Sequence, residues 1–138
     1  MPADVAAAVE AQVVELLRDV DGLVLGYESL PDEVPLGVDV DAIARLDADG
    51  RLLLDADGSP LAPHEIAAVL VPARVFDRNG YRLGRGGGHY DRLLPTLQPG
   101  VPVIGITCTA RIVDELPREP HDRPMTHLAT ETTLFSTS

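Results

Sequence analysis

A glycine-rich loop over residues 82–92, RLGRGGGHYDR, holds the residues of this chain that are best suited to chemistry. Its four glycines are Gly84, Gly86, Gly87 and Gly88. Glycine lets a backbone take positive φ and bring its N–H groups close to an anion. Arg82 and Arg85 would add charge and forked donors that suit phosphate oxygens. Because Asp91 beside a phosphate requires an intervening cation, the loop predicts a nucleotide-phosphate and magnesium site.

Known glycine motifs do not account for this loop. His89 stands where a dinucleotide-binding fingerprint has its third glycine, and the chain contains no lysine to complete a Walker motif. A plain structural loop, with Asp91 as a charge at the start of a helix, is the alternative interpretation. The loop alone does not decide between the two.

The composition indicates one soluble domain. The chain has 138 residues, 45% hydrophobic and 24% charged, with a formal net charge of −11. Such an acidic balance argues against a generic nucleic-acid or anionic-membrane binder. Cys108 is the single cysteine, which excludes a disulfide framework and a thiolate metal cluster and is expected to be a buried thiol. We find neither a signal-peptide pattern nor an apolar run of membrane-spanning length, so a cytoplasmic protein is expected.

Strands and helices are predicted to alternate along the chain. Asp4 is a candidate N-cap for a helix that ends near residue 20. Asp-Gly turns around RLLL predict a small hairpin, because the calcium-loop alternative lacks ligands. The other predicted elements are strands at 22–29, 66–73, 101–108 and 125–131 and short helices at 38–46, 89–97 and 110–117. This order predicts an α/β domain with a largely parallel sheet, in which ligands bind at the carboxyl ends of strands.

The wider stretch LVPARVFDRNGYRLGRGGGHYDRLL, residues 70–94, resembles the signature of the 5-formyltetrahydrofolate cyclo-ligase family. The matching positions are Val71-Pro72, Phe76-Asp77, Gly80, Arg82-Leu83-Gly84, Gly86, Gly88 and Tyr90-Asp91. The carboxyl-terminal part is also similar, with VDELP, the pair His121-Asp122 and the pair Thr130-Glu131. The resemblance covers residues 66–131 well and the first half of the chain only loosely.

The resemblance implies a single domain, 1–138, shortened in its first half, with a three-layer α/β/α sandwich fold. It implies ATP- and Mg²⁺-dependent conversion of 5-formyltetrahydrofolate into 5,10-methenyltetrahydrofolate, by a monomer or homodimer. The implied ATP and phosphate ligands are Arg82, Gly84, Gly86, Gly87, Gly88 and Asp91. The implied metal ligands are Asp91 and Asp122, and the implied catalytic residues are Arg85, which would stabilise the transferring phosphoryl group, and Tyr90. The implied substrate contacts are Glu33, Phe76 and His89.

Several features depart from the family pattern and leave alternatives open. Members usually carry a Lys and an Arg on their first helix and are longer. His89 stands in place of a first aromatic residue, and Thr126 in place of an acidic one. His89 could stack or donate a hydrogen bond, or it could be a tolerated loop residue. Glu33 could contact folate or be a surface loop carboxylate. The alternative functions are a shortened, inactive paralogue that binds a nucleotide or phosphorylated ligand, and a non-catalytic interaction protein with a merely structural glycine loop.

Overall fold

The computed structural model describes most of the chain. The described residues are 2–35, 37–46, 49, 52–56, 59–83, 89–120 and 122–137, without the side chains of 45–46, 52–56 and 89. The helices are α1 (Ala3–Leu17) and α2 (His89–Leu93), with 3-10 turns at Pro63–Glu65, Leu94–Thr96 and Thr109–Arg111. The strands are β1 (Leu23–Tyr27), β2 (Ala42–Leu46), β3 (Leu52–Ala56), β4 (Ser59–Pro60), β5 (Ile66–Pro72), β6 (Phe76–Asp77), β7 (Val103–Ile106), β8 (Ile112–Val113), β9 (His127–Ala129) and β10 (Leu134–Ser136).

The main sheet has the strand order β10-β9-β7-β5-β1-β2-β3-β4. Its five central strands, β9, β7, β5, β1 and β2, are parallel to one another. The edges are antiparallel, with β10 on one side and the β2–β3 and β3–β4 hairpins on the other. A second, two-stranded sheet pairs β6 with β8 in parallel. The predicted α/β fold with a largely parallel sheet is confirmed, as is the hairpin around RLLL.

Each face of the main sheet carries a separate buried cluster, because side chains alternate between faces along a strand. On one face, Val9 and Val13 of α1 share a cluster with Leu70 of β5. On the other, Leu93 of α2 and Phe76 of β6 share a cluster with residues of the same central strands. Helical layers therefore lie on both sides of the sheet, which gives the three-layer arrangement.

Four local predictions need correction. Asp4 lies in the first turn of α1 rather than at its N-cap, which is Pro2 without a side-chain hydrogen bond. The segment predicted as a helix at 38–46 ends in strand β2, because Ala42–Leu46 pairs with β1 and β3. The segment predicted as a helix at 110–117 is a 3-10 turn followed by β8. Cys108 is half-buried rather than buried, since β7 ends two residues before it.

Candidate functional site

Arg82 is the centre of a cluster of polar side chains that come from separate segments. Its guanidinium carbon lies 4.9 Å from the centroid of the Tyr90 ring, within range of a cation–π interaction. The charges of Asp91, Asp122 and Glu33 all act on this guanidinium. The structure thus brings together five residues that the sequence analysis assigned to the site.

Arg82 is half-buried, and the Nε of its guanidinium is removed from solvent. Burial lowers its pKa below the ordinary arginine value, while Asp91, Tyr90, Asp122 and Glu33 oppose that shift. Its Nε–H is buried and finds no hydrogen-bond acceptor within the described part of the chain. A buried donor left without an acceptor costs free energy, so Arg82 is suited to receive an anionic group of a ligand.

Glu33 is buried, with 6% of its surface exposed, so its interpretation as a surface loop carboxylate is wrong. It lies in a turn after β1 where its Oε1 accepts a hydrogen bond from the backbone N–H of Leu30, at 2.9 Å. The hydroxyl of Tyr27, the last residue of β1, donates to the carbonyl oxygen of Val34 at 2.8 Å. These two bonds fix the turn from inside.

Two arginines hold the same turn from outside. The Nε of Arg74 lies 2.9 Å from the Oδ2 of Asp32, and Arg111 donates to the backbone carbonyl of Asp32. Arg74 follows β5 and Arg111 lies in the 3-10 turn after β7. The loops at the carboxyl ends of three parallel strands therefore meet at residue 32, where the fold class was expected to bind its ligand.

Two tyrosine hydroxyls in this region stay protonated at neutral pH. Burial raises the pKa of Tyr27 well above its ordinary value, and the charges of Glu33 and Tyr90 raise it further. Burial also raises the pKa of Tyr90, although Arg82 opposes the shift and Glu33 adds to it. Tyr90 therefore presents a neutral hydroxyl beside the cationic Arg82, so it can donate a hydrogen bond to a ligand oxygen.

Asp77 is a fully buried carboxylate that the sequence analysis noted only as part of the family signature. Its Oδ1 accepts the backbone N–H groups of Asn79 and Tyr81, each at 3.0 Å. Its Oδ2 accepts the backbone N–H of Leu116, also at 3.0 Å. The sequence signal for this turn is Asp77 placed before Asn79-Gly80, because aspartate, asparagine and glycine favour such turns.

Asp91 and Asp122 are half-buried, and the charge of each acts on the Arg82 guanidinium. Carboxylates are hard oxygen donors, and proteins usually hold Mg²⁺ through one or two of them together with substrate phosphates. Within the described residues, no group of three histidine, cysteine or acidic side chains could hold a metal by itself. Two carboxylates near an arginine with an unpartnered N–H donor therefore fit a magnesium ion that arrives with a phosphorylated ligand.

The remaining predicted site residues lie elsewhere or outside the described residues. Gly84, Arg85, Gly86, Gly87, Gly88 and the side chain of His89 are outside the described part, as is His121. Phe76 has no exposed surface and packs in the core, so its contact with a substrate stays a prediction. Thr126 lies at the amino ends of β7 and β9, where its Oγ1 accepts the backbone N–H of Val103 at 2.8 Å.

Fold and site together define an α/β protein with an arginine and paired carboxylates suited to a phosphorylated ligand. The sequence profile of the 5-formyltetrahydrofolate cyclo-ligase family matches residues 55–131, more than half of the chain, and the chain belongs to this family. It is 47% identical over 66 residues to a 5-formyltetrahydrofolate cyclo-ligase of Mycolicibacterium smegmatis, covering 48% of this chain. It is 34% identical over 68 residues to that of Escherichia coli K12, covering 49% of this chain.

The matched segments span about a third of those relatives, 34% and 37% of their respective lengths. A solved 5,10-methenyltetrahydrofolate synthetase from Mycoplasma pneumoniae has a similar fold, with a TM-score of 0.80 at 23% identity. That match covers 92% of this chain and 85% of the solved chain. It establishes the fold, including that of the first half, where the sequence resemblance is loose.

Proposed function

We propose that this protein converts 5-formyltetrahydrofolate into 5,10-methenyltetrahydrofolate in a reaction that consumes ATP and requires Mg²⁺. The observation that carries the proposal is the half-buried Arg82, with a buried and unpartnered Nε–H and with the charges of Asp91, Asp122 and Glu33 and the ring of Tyr90 acting on it. Membership of the cyclo-ligase family supports the same reaction.

The chemistry explains why such a site is needed. A formamide oxygen is a poor leaving group, so the formyl oxygen first attacks the γ-phosphorus of ATP and ADP departs. N10 then attacks the activated carbon, and inorganic phosphate leaves as the ring closes. Transfer of a phosphoryl group depends on positioning and on neutralisation of charge more than on a covalent nucleophile.

We assign that positioning to residues of the Arg82 cluster. Arg82 would bind the phosphates through its unpartnered Nε–H, and the neutral Tyr90 hydroxyl beside it would donate to a phosphate or formyl oxygen. Asp91 and Asp122 would hold Mg²⁺, which neutralises phosphate charge when it is bound. Glu33, fixed at the carboxyl end of β1, would contact the reduced folate.

The residues of the glycine loop complete the proposal. Gly84, Gly86, Gly87 and Gly88 would direct backbone N–H groups to the phosphates, and Arg85 would stabilise the transferring phosphoryl group. His89 would lie on the folate side. We further propose a cytoplasmic enzyme that acts on small molecules as a monomer or homodimer. No helix within the described ranges is long and apolar enough to cross a bilayer.

The direct test combines purified protein with Mg-ATP and 5-formyltetrahydrofolate and follows the absorbance of the methenyl product. Arg82→Met removes the charge at similar length, and we expect kcat/KM to fall at least about thirtyfold, the lower range for truncating one partner of a buried charged contact. Arg18→Met is the matched control, because Arg18 is exposed on α1 and forms an ion pair with the equally exposed Glu15. Product formation by the wild type and the control, and its loss in Arg82→Met, is the expected result.

Two other outcomes would contradict the proposal. Magnesium-dependent nucleotide binding without product would identify an inactive relative with another ligand. The absence of both product and nucleotide binding would leave the glycine loop with a structural role alone.

A further inference from the structure

Three contacts and one electrostatic interaction join the turn that carries Arg82 to the segment that carries Asp122. We define the first as the arginine turn, residues 77–82, and the second as the aspartate segment, residues 114–120 and 122. One of the contacts is the ion pair between the Nε of Arg78 and the Oδ1 of Asp114, at 2.8 Å. Asp77 accepts the backbone N–H of Leu116 at 3.0 Å. The guanidinium carbon of Arg118 lies 4.3 Å from the centroid of the Tyr81 ring. The charge of Asp122 acts on Arg82.

These contacts are distributed along both segments, so the two segments run side by side. The pairing begins with β6 and β8, in which Asp77 lies opposite Val113. It continues outside the strands, where the backbone N–H of Arg78 donates to the carbonyl of Val113 at 3.1 Å. The described residues of the aspartate segment form no α-helix and no strand of the main sheet. Its position therefore depends on contacts with the arginine turn.

Asp77 is the buried member of this set and bonds to both segments. Its Oδ1 accepts two N–H groups within the arginine turn, and its Oδ2 accepts one from the aspartate segment. Asp122 is in turn oriented at the far end, where its Oδ2 accepts the backbone N–H of Glu119 at 2.8 Å. One buried carboxylate thus bonds to both the segment that carries Arg82 and the segment that carries Asp122.

We propose that Asp77 is a positioning residue for binding of a magnesium-nucleotide complex, and that it acts by holding Asp122 in register with Arg82. Arg118, stacked on Tyr81, supports the same register from the surface. The inference rests on the proposed function, because it assigns magnesium to Asp91 and Asp122. Neither Asp77 nor Arg118 is expected to touch the nucleotide.

Asp77→Asn is a sharp test because it preserves the shape of the side chain. An amide offers one oxygen and one NH2 group, so in either orientation an NH2 faces a backbone N–H donor that the carboxylate accepted. Arg118→Met is the second variant; it removes the cation from an exposed position and leaves the core unchanged. Asp41→Asn is the matched control, because the Oδ2 of Asp41 accepts the backbone N–H of Val24, at 2.9 Å, where β1 and β2 begin.

The measurement is calorimetric binding of a non-hydrolysable ATP analogue to the full chain at a series of Mg²⁺ concentrations. We expect the Mg²⁺ midpoint to rise about tenfold in Asp77→Asn, the loss of a hydrogen bond to a charged group. We expect a rise of about threefold in Arg118→Met, the loss of an exposed cation–π contact. Asp41→Asn should keep the wild-type midpoint.

A merely structural role would lower the binding stoichiometry and leave the midpoint unchanged, and that result in the two variants would overturn the inference. If Asp77→Asn does not fold, the Arg118→Met midpoint decides: a wild-type value overturns the inference. If the wild type does not bind the magnesium-nucleotide complex, the proposed function fails and the inference fails with it.

Discussion

Gly80→Ala should be strongly destabilising, because two separate costs fall on one position. Gly80 has φ +92°, a conformation that side-chain-bearing residues rarely adopt. A Cβ added there would lie 2.7 Å from the carbonyl oxygen of Met125 and 3.1 Å from its nitrogen. These backbone atoms cannot easily move away, because the N–H of Met125 donates to the carbonyl of Gly80 at 2.8 Å.

A second glycine separates the two costs. Gly100 has φ +82°, but an added Cβ would meet no atom within 4 Å. In Gly100→Ala the left-handed conformation alone should lower the free energy of unfolding, by about 1–2 kcal/mol. In Gly80→Ala the conformation should lower it by a similar amount, and overpacking by about 1–3 kcal/mol more. The difference between the two variants isolates the close approach of the Gly80 turn to Met125.

Equilibrium unfolding in urea measures both variants against the wild type, with unchanged m-values as the sign that the unfolded states are comparable. We expect the free energy of unfolding to fall about 1–3 kcal/mol further in Gly80→Ala than in Gly100→Ala. Equal losses would refute the reasoning, because they would mean that the Gly80 turn does not pack against Met125 as closely as the structure shows.

Two further predictions concern single hydroxyl groups. Tyr27→Phe leaves the buried carbonyl of Val34 without its donor, so the free energy of unfolding should fall by about 1–3 kcal/mol. The same variant should weaken folate binding, because it loosens the turn that holds Glu33, and it should leave nucleotide binding unchanged. An unaffected KM for folate would count against the role of this turn. The hydroxyl and backbone N–H of Thr109 donate to the Glu131 carboxylate and lower its pKa below the ordinary value. Ionised Glu131 therefore stabilises the fold above its unfolded-state pKa, and this stabilisation is lost as pH falls through its folded-state pKa. Thr109→Val should raise the pKa of Glu131 and weaken the acid dependence of unfolding, measured by NMR titration and by unfolding across acid pH, and an unchanged titration would contradict the assigned bonds.

The parallel centre of the sheet could be predicted because its strands are apolar on both faces. β5 and β7 lie inside the sheet with almost every residue buried, and each belongs to an apolar run that is evident in the sequence. Such strands need no information beyond their own sequence and the turn residues that end them.

The short elements could not be predicted, since partners distant in sequence determine them. Ala42–Leu46 becomes a strand because it pairs with β1, with Leu25 opposite Ala42. β8 is two residues long and exists only through its pairing with β6. β10 was missed altogether; its three residues pair with β9 and lie outside any recognisable apolar run.

In the site, residue types could be predicted and their burial could not. The clustering of Arg82 with acidic side chains follows from the signature, but nothing local in the sequence indicates that Glu33 is buried. The same holds for Asp77, whose third hydrogen bond comes from Leu116, 39 positions away. A local sequence pattern indicates the chemistry of a side chain. Which of its oxygen atoms already accept hydrogen bonds depends on segments that are distant in sequence.

Three carboxylates in and beside the site are each oriented by a backbone N–H group. Glu33, Asp77 and Asp122 each accept a backbone N–H from a residue outside their own peptide unit. A backbone donor fixes the direction of a carboxylate without bringing a second side chain into the site, and a carboxylate has further lone pairs for other partners. Groups fixed in this way lose less conformational entropy when a ligand binds, which favours affinity for highly charged ligands. The proposed binding of phosphates by an acidic chain would rest on the same arrangement, because backbone N–H groups hold its carboxylates in place and the Nε–H of Arg82 is left without an acceptor.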